Sequence, residues 1–281
     1  MLNNSARKQK ILKGAGDLFV HQENGFTVHV RLDRGNELLW VVDYEISASK
    51  NFCNYLWELA RHLNVGKIIF PVRPYDLYLL KNEWFVMEGY LDGFFAGVPG
   101  CFLAGFRNPG RALSSSLAEE QRALNRILTS RRTKQTFLPP GIKITQATEN
   151  DAATLNLILK ANPAGIVSAL RKGDVYLVAR QAEKIAGVIA TERDLKYKRA
   201  EITRYVILPE YQSSHLSNVL FQALGEKCRS LGIHCLYSLV KASAYELNLA
   251  LHNSGFLFRG TLINNCSVAE RFENLHIWVL P

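Results

Sequence analysis

Two stretches of the chain carry nearly the same pattern. "GKIIFPVRPYDLYLLKNEWFVMEGYL" starts at Gly66 and "GIHCLYSLVKASAYELNLALHNSGFLFRGTL" at Gly232. Each runs from a Gly-led apolar strand to Tyr-acid-Leu, as Tyr75-Asp76-Leu77 or Tyr245-Glu246-Leu247. Each then reaches a phenylalanine, Phe85 or Phe256, and a glycine, Gly89 or Gly260. The Tyr-to-Phe spacings differ by one residue. An ancient duplication explains the echo, and so do two independent strand-helix-strand units. On either reading, each half must bury a sheet face under helices.

A chain of 281 residues is long for one compact core and comfortable for two small domains. With 48% apolar and 21% charged residues, the composition is that of an ordinary globular protein. No apolar run approaches the ~20 residues that span a bilayer. The N-terminus, MLNNSARKQKILKG, has basic residues without an apolar stretch behind them, so no secretory signal is read and a cytoplasmic location is expected. Cys53, Cys101, Cys228, Cys235 and Cys266 are widely spread without metal-site spacing, and are expected as reduced thiols, mostly in cores. The histidines likewise make no metal spacing, and no metal is expected. A net charge of +9, spread along the chain, suits an anionic ligand such as a nucleotide or coenzyme A. It equally suits a basic solvated surface.

In the first half, Phe26–Leu32 and Leu38–Tyr44 alternate as hairpin strands around the turn Asp33-Arg-Gly35-Asn36. Residues 51–65 have helical spacing, Ile68–Val72 reads as a buried strand, and a helix around Tyr75–Asn82 leads into strands Phe85–Phe95 and Gly100–Phe106. A serine-capped helix start at Ser114 continues to Leu128. The basic Ser130-Arg-Arg-Thr-Lys-Gln and Pro139-Pro-Gly141 then mark a boundary between domains at 1–135 and 141–281. The second half reads β-α-α-β-β-β-α-β-α-β-β, a mixed sheet flanked by helices.

That order, with Pro209-Glu-Tyr-Gln212 ending the third strand and Asn253-Ser-Gly-Phe256 after the last helix, resembles the GNAT acetyltransferase superfamily. "AEITRYVILPEYQ", "FRGTLINNCSV" followed by "NLHIW", and "EGYLDGFFAG" resemble the beta-lysine N-acetyltransferase family over nearly the whole chain. The fold implied is α/β: a C-terminal GNAT domain (mixed, largely antiparallel sheet flanked by helices), with an N-terminal α/β domain that is either a degenerate GNAT-like repeat or unrelated to it, and has either a substrate-pocket or a structural role. The activity implied is acetyl transfer from acetyl-CoA to the side-chain amine of a small amino acid, beta-lysine or a relative.

The resemblance also assigns residues. An amine with a pKa of about 10.4 must lose a proton before it attacks a thioester, and Glu201 is the candidate acceptor. On residue pattern alone it reads as a strand glutamate paired with Lys198 or Arg199. Glu201, Thr203, Tyr205 and Ile207 alternate onto one strand face. The backbone of Tyr205, Val206 and Ile207 is expected to hold pantetheine, and the turn Gln212, Ser213, Ser214, His215, Leu216, Ser217 and Asn218 to hold the pyrophosphate at a helix N-terminus. The superfamily has glycine or another small residue at two of these places, where this chain has His215 and Ser217, so a serine-capped helix start is the alternative. Asn248 either contacts cofactor or bonds across its helix. Ala244 and Leu251 stand where the superfamily often has asparagine and tyrosine. Thr203, Arg204, Asn264 and Asn265 fall at substrate positions. Arg204 replaces a family acid, and the two asparagines also suit an edge turn.

The rival readings are a degenerate GNAT protein that binds CoA or a protein partner without turnover, and nucleic-acid binding through Arg131-Arg132-Lys134 and Lys196-Lys198-Arg199. The sequence leaves the oligomeric state open.

Overall fold

The computed structural model describes residues 9–12, 17–23, 25–47, 50–80, 84–133, 137–212, 214–269 and 271–281, the side chains of 9–12, 17, 50, 214 and 215 excepted. In the first half, strands β1 (Gln9–Leu12), β2 (Asp17–Glu23), β3 (Phe26–Asp33) and β4 (Leu38–Ile46) are followed by helix α1 (Lys50–His62). Strand β5 (Lys67–Val72), a 3-10 segment at Pro74–Leu80, and strands β6 (Phe85–Phe95) and β7 (Val98–Phe106) complete it. Helix α2 (Leu117–Thr129) leads to β8 (Ile142–Gln146), α3 (Ala152–Leu159), α4 (Pro163–Arg171), β9 (Tyr176–Gln181), β10 (Lys184–Asp194) and β11 (Arg199–Ile207). The chain ends with α5 (Ser214–Ser230), β12 (Cys235–Lys241), α6 (Tyr245–Asn253), β13 (Leu257–Val268) and β14 (Arg271–Leu280). The expected hairpins and helices are present within a few residues. Strands β1 and β2 were not anticipated, and the expected helix after Tyr75 is 3-10.

All fourteen strands form one sheet, ordered β1-β2-β3-β4-β5-β7-β6-β13-β14-β12-β11-β10-β9-β8. Adding seven to each strand number of the first half gives the second half read backwards. The two halves therefore meet about a pseudo-twofold axis between β6 and β13, and the paired residues at that axis are Gly89 and Gly260. These are the matched glycines of the sequence echo. A Cβ on Gly260, whose φ is +147°, would lie 2.2 Å from the Glu88 carbonyl oxygen, and one on Gly89 would lie 2.7 Å from that of Arg259. The strands cross so closely that only glycine fits on both sides. The echo thus has a structural counterpart of the kind a duplication leaves.

Apolar alternation decides the packing. Phe26, Val28, Val30 and Leu32 point from β3 onto Phe52, Leu56 and Ala60 of α1, each large side chain contributing roughly 1.5–3 kcal/mol on burial. This cluster continues through Leu262, Ile277 and Val279 of the second half, so the halves share a core. In the second half α5 covers one sheet face through Leu216, Leu220 and Leu224, and α3 and α4 cover the other through Leu155 and Ile166.

Each half also grips the other with a hairpin turn. From the β10–β11 turn, Lys196 and Tyr197 both bond the Asp43 carboxylate, and Arg73 donates to the Tyr197 hydroxyl at 3.3 Å. From the β3–β4 turn, the Asn36 side chain accepts the Ser267 N–H at 2.6 Å. Between these grips Lys67, fully buried, donates to Glu88 at 2.7 Å and to the Ile263 carbonyl at 2.6 Å.

Candidate active site

Strands β11 and β12 run parallel for three rungs, Arg199↔Cys235, Ala200↔Leu236 and Glu201↔Tyr237, and then part. Beyond the last rung, residues 202–207 have no ladder partner on that side, because β12 continues only with β14. The separation coincides with a bulge in β11, where the register with β10 shifts between Ala190 and Thr191. Thr203 is the extra residue.

The bulge corrects the expected face of Glu201. Ile202 and Tyr205 both pack toward α5, while Val206 packs toward α3 and α4, so parity reverses between them. Glu201 therefore lies on the α3/α4 face, opposite Tyr205 and Ile207. Arg204 shares that face with it, yet neither Thr203 nor Arg204 lines the cavity around Glu201. Arg204 bonds the Thr203 carbonyl at 3.0 Å.

At the last rung, the Tyr237 hydroxyl donates to Glu201 Oε2 at 3.0 Å. Burial pushes the Glu201 carboxyl above its usual range. The Tyr237 bond and the positive charges of Arg31 and Arg199 pull the other way, and Glu192 adds to the rise. Burial, reinforced by the Glu201 charge, raises Tyr237 far above an ordinary phenol, so it remains a hydrogen-bond donor. Arg199 is not the partner of Glu201. It pairs with Asp194 at 2.8 Å and lies 3.8 Å over the Phe94 ring.

The two groups face a cavity of about 180 Å³ whose walls come from both halves, with Arg31, Trp40 and Phe102 on one side and Glu192, Asp194 and Leu239 on the other. It is smaller than the roughly 300–1,000 Å³ of drug-sized pockets. On the opposite sheet face a second cleft, of about 450 Å³, lies among Tyr205, Ile207, Gln212, Ser217 and the Leu247–Asn253 side of α6. There the Tyr205 hydroxyl donates to Ser217 Oγ at 2.6 Å and its ring stacks on Phe221 at 5.0 Å. Unpaired strand edge, cleft and helix start suit an extended ligand with a phosphate at one end.

The predicted residues divide accordingly. Tyr205, Ile207, Gln212, Ser217 and Asn218 line this second cleft, whereas Val206 points to the other face. Leu216 is buried in the α5 core. Ser213 and the side chains of Ser214 and His215 lie outside the described residues.

For Asn248 and Asn264 the structure shows the non-ligand alternative, their amides bonded within the protein. Asn248 is fully buried; its amide donates to the Lys241 and Ala244 carbonyls, and its oxygen accepts from His276 Nδ1 at 3.0 Å and Trp278 Nε1 at 2.8 Å. No donor or acceptor is left for a ligand. Asn264, at a positive φ of 47°, donates to the Arg111 and Leu113 carbonyls and takes a bond from Arg111 on its own carbonyl. It sits at an irregularity within β13, at the joint between halves, and neither it nor the buried Asn265 lines the Glu201 cavity.

Sequence reasoning missed Tyr237 and the first-half wall with Arg31. For Tyr237 a signal existed, since it lies two residues into its strand, as Glu201 does in β11, and a parallel pair that starts in register sets them side by side.

Residues 146–256 match the Acetyltransferase (GNAT) family. N-acetyltransferase YodP of Bacillus subtilis (strain 168) is 28% identical over 279 residues, covering 96% of this chain and 98% of its own. The Beta-lysine N(6)-acetyltransferase of Methanococcus maripaludis is 23% identical over 238 residues, covering 79% of this chain and 87% of its own. Among solved structures, yncA, a putative acetyltransferase from Salmonella typhimurium with its cofactor acetyl-CoA, has a TM-score of 0.46 at 16% identity, covering 50% of this chain and 93% of that one.

Proposed function

The second half of this chain is a GNAT acetyltransferase domain, and from that premise we propose that the protein moves an acetyl group from acetyl-CoA to the side-chain amine of a small amino acid, beta-lysine or a close relative. The observation that carries the reading is the last β11–β12 rung. Glu201 and Tyr237 stand where the sheet opens, with a small acceptor-sized cavity on one face and an extended cleft on the other. The family uses acetyl-CoA, and the similarity to YodP and to the beta-lysine N(6)-acetyltransferase supports an amine acceptor.

Acetyl-CoA would supply an activated acyl carbon. The residues of this chain would handle the proton and the positioning. A lysine-type ammonium has a pKa of about 10.4 and must be deprotonated to be nucleophilic. Glu201, with its carboxyl raised by burial, is a better base than a solvated carboxylate. It would take the amine proton as nitrogen bonds the acyl carbon and the C–S bond breaks, the proton then passing to the departing thiolate or to solvent. Tyr237 holds the carboxylate in place and remains protonated throughout. The backbone edge of 202–207 with Gln212, Ser217 and Asn218 would hold the coenzyme, and Ser213, Ser214 and His215 extend that stretch in sequence.

The test is to mix the full chain with acetyl-CoA and beta-lysine, following free thiol and product mass. Thiol release matched by mono-acetylated product is expected. Tight binding of acetyl-CoA without product from beta-lysine or other small amines would turn the reading to a coenzyme-binding module.

A further inference from the structure

Six charged residues line the Glu201 cavity, and three are already committed: Glu201 accepts from Tyr237, and Asp194 pairs with Arg199. Arg193 stands opposite Ala200 of the α5-face core, so its side chain is on the other sheet face. Arg31 and Glu192 are different. Both line the cavity, both are exposed, and among the described residues neither makes a hydrogen bond or an ion pair.

Their placement has two consequences. Glu192 is the direct cross-strand partner of Glu201 on the same sheet face. Like charges directly opposite on neighbouring strands repel, unless a cation lies against them. Arg31 comes from the other half, is held on β3 opposite Trp40, and its positive charge acts on Glu201 across the cavity. The free charges around the reacting position are thus one cation and one carboxylate on facing walls. Their complement is a molecule carrying a carboxylate, a second ammonium and the reacting amine.

We infer that Arg31 and Glu192 form the recognition pair of the acceptor site. Arg31, supplied by the first half, binds the acceptor carboxylate, and Glu192 binds its second, non-reacting ammonium. A guanidinium suits the first task because its planar fork matches a carboxylate. The assignment makes the first half a specificity element, selecting diamino monocarboxylates over simple amines. It rests on the acceptor site proposed above.

Three compounds separate the two roles: beta-lysine, its carboxamide (no carboxylate) and 6-aminohexanoate (no second amine). Rates and calorimetric affinities are measured for the full-length wild type, Arg31→Gln and Glu192→Gln, with thermal melts as a folding check on these exposed positions. Losing a charge-assisted contact costs about ten- to a hundredfold. Arg31→Gln is expected to weaken beta-lysine and 6-aminohexanoate by that factor and the carboxamide far less. Glu192→Gln is expected to weaken beta-lysine and the carboxamide and to affect 6-aminohexanoate far less. Equal effects on all three compounds, or none on any, would overturn the pairing. If no compound is acetylated but the crossed pattern appears in binding, the proposed reaction falls and the recognition pair stands. If acetylation proceeds without the crossed pattern, the reverse holds.

Discussion

The strand pairs β11/β12 and β4/β5 have the same geometry and different contents. Arg199–Glu201 pair with Cys235–Tyr237, and Leu38–Trp40 pair with Lys67–Ile69; each pair then parts, and β4, like β11, carries a bulge, at a register shift between His29 and Val30. By register, Trp40 stands where Glu201 stands and Ile69 where Tyr237 stands. Beyond the bulge Tyr44 corresponds to Tyr205. In the first half, however, Tyr44 plugs the gap: its hydroxyl donates to Asp76 at 2.7 Å and accepts the Arg73 N–H at 2.8 Å, while Phe52, Phe70 and Phe95 surround its ring. A splayed parallel pair is therefore not a site in itself. In the second half the gap stays open with an acid at its last rung; in the first it is closed and apolar, and Trp40 at its last rung walls the cavity beside Glu201.

The sharpest way to break this comparison is to remove the acid. Glu201→Gln should lower kcat/KM by about 10²–10⁴-fold and remove an acid limb lying above the ordinary carboxylate range. Adding Trp40→Glu to that variant should restore nothing. Near-wild-type rates for Glu201→Gln would assign the proton to another group.

The joint between halves comes next. Glu88→Gln leaves the Lys67 ammonium buried without its counter-ion, at a cost of about 3–5 kcal/mol in urea denaturation. Replacing Lys67 by Met in the same chain should recover most of that loss. A single-variant cost under about 1 kcal/mol, the range of an exposed pair, would show that the pair does not hold the halves together.

A pH series probes the second half. His276 is buried and held neutral, its pKa pushed down to about 4 by burial from an ordinary 6.5. A lowered folded pKa means that the unfolded chain binds the proton first. Stability is therefore complete above pH 6.5 and declines as pH falls toward 4, by roughly 3 kcal/mol at 1.36 kcal/mol per unit. His276→Gln, which keeps an N–H for Asn248, should flatten that dependence; an unchanged slope would place it elsewhere.

The smallest effects should separate the two tyrosines. Tyr44→Phe strands Asp76 and the Arg73 N–H and should cost about 1–3 kcal/mol of stability with kcat/KM little changed. Tyr205→Phe should mainly raise KM for acetyl-CoA. Calorimetry should give one acetyl-CoA per chain, and a second equivalent would mean that the Tyr44 plug opens.

Much of this could be read from local pattern. Alternation placed the hairpins, helical spacing placed α1 and α5, and the glycines of the echo mark the joint because close backbone crossing excludes a Cβ. Glu201 was identified by a resemblance carried in the strand that bears it. The misjudged residues all depend on non-local contacts. The face of Glu201 turned on one bulge, which reverses side-chain parity. Asn248 and Asn264 looked like ligand groups because the sequence does not show which buried carbonyls and ring N–H groups need their amides.

The sequence by itself therefore determined most of the elements and the kind of chemistry, since these follow from periodicity and a motif contiguous in the chain, while the doubled strand order appears only in the sheet. Only the tertiary structure decided that Tyr237 stands beside Glu201, that Tyr44 fills one gap while the other stays open, and that Arg31 of one half lines the cavity beside Glu201 of the other. Those outcomes depend on strand register and on docking between segments far apart in the chain, which no local pattern specifies.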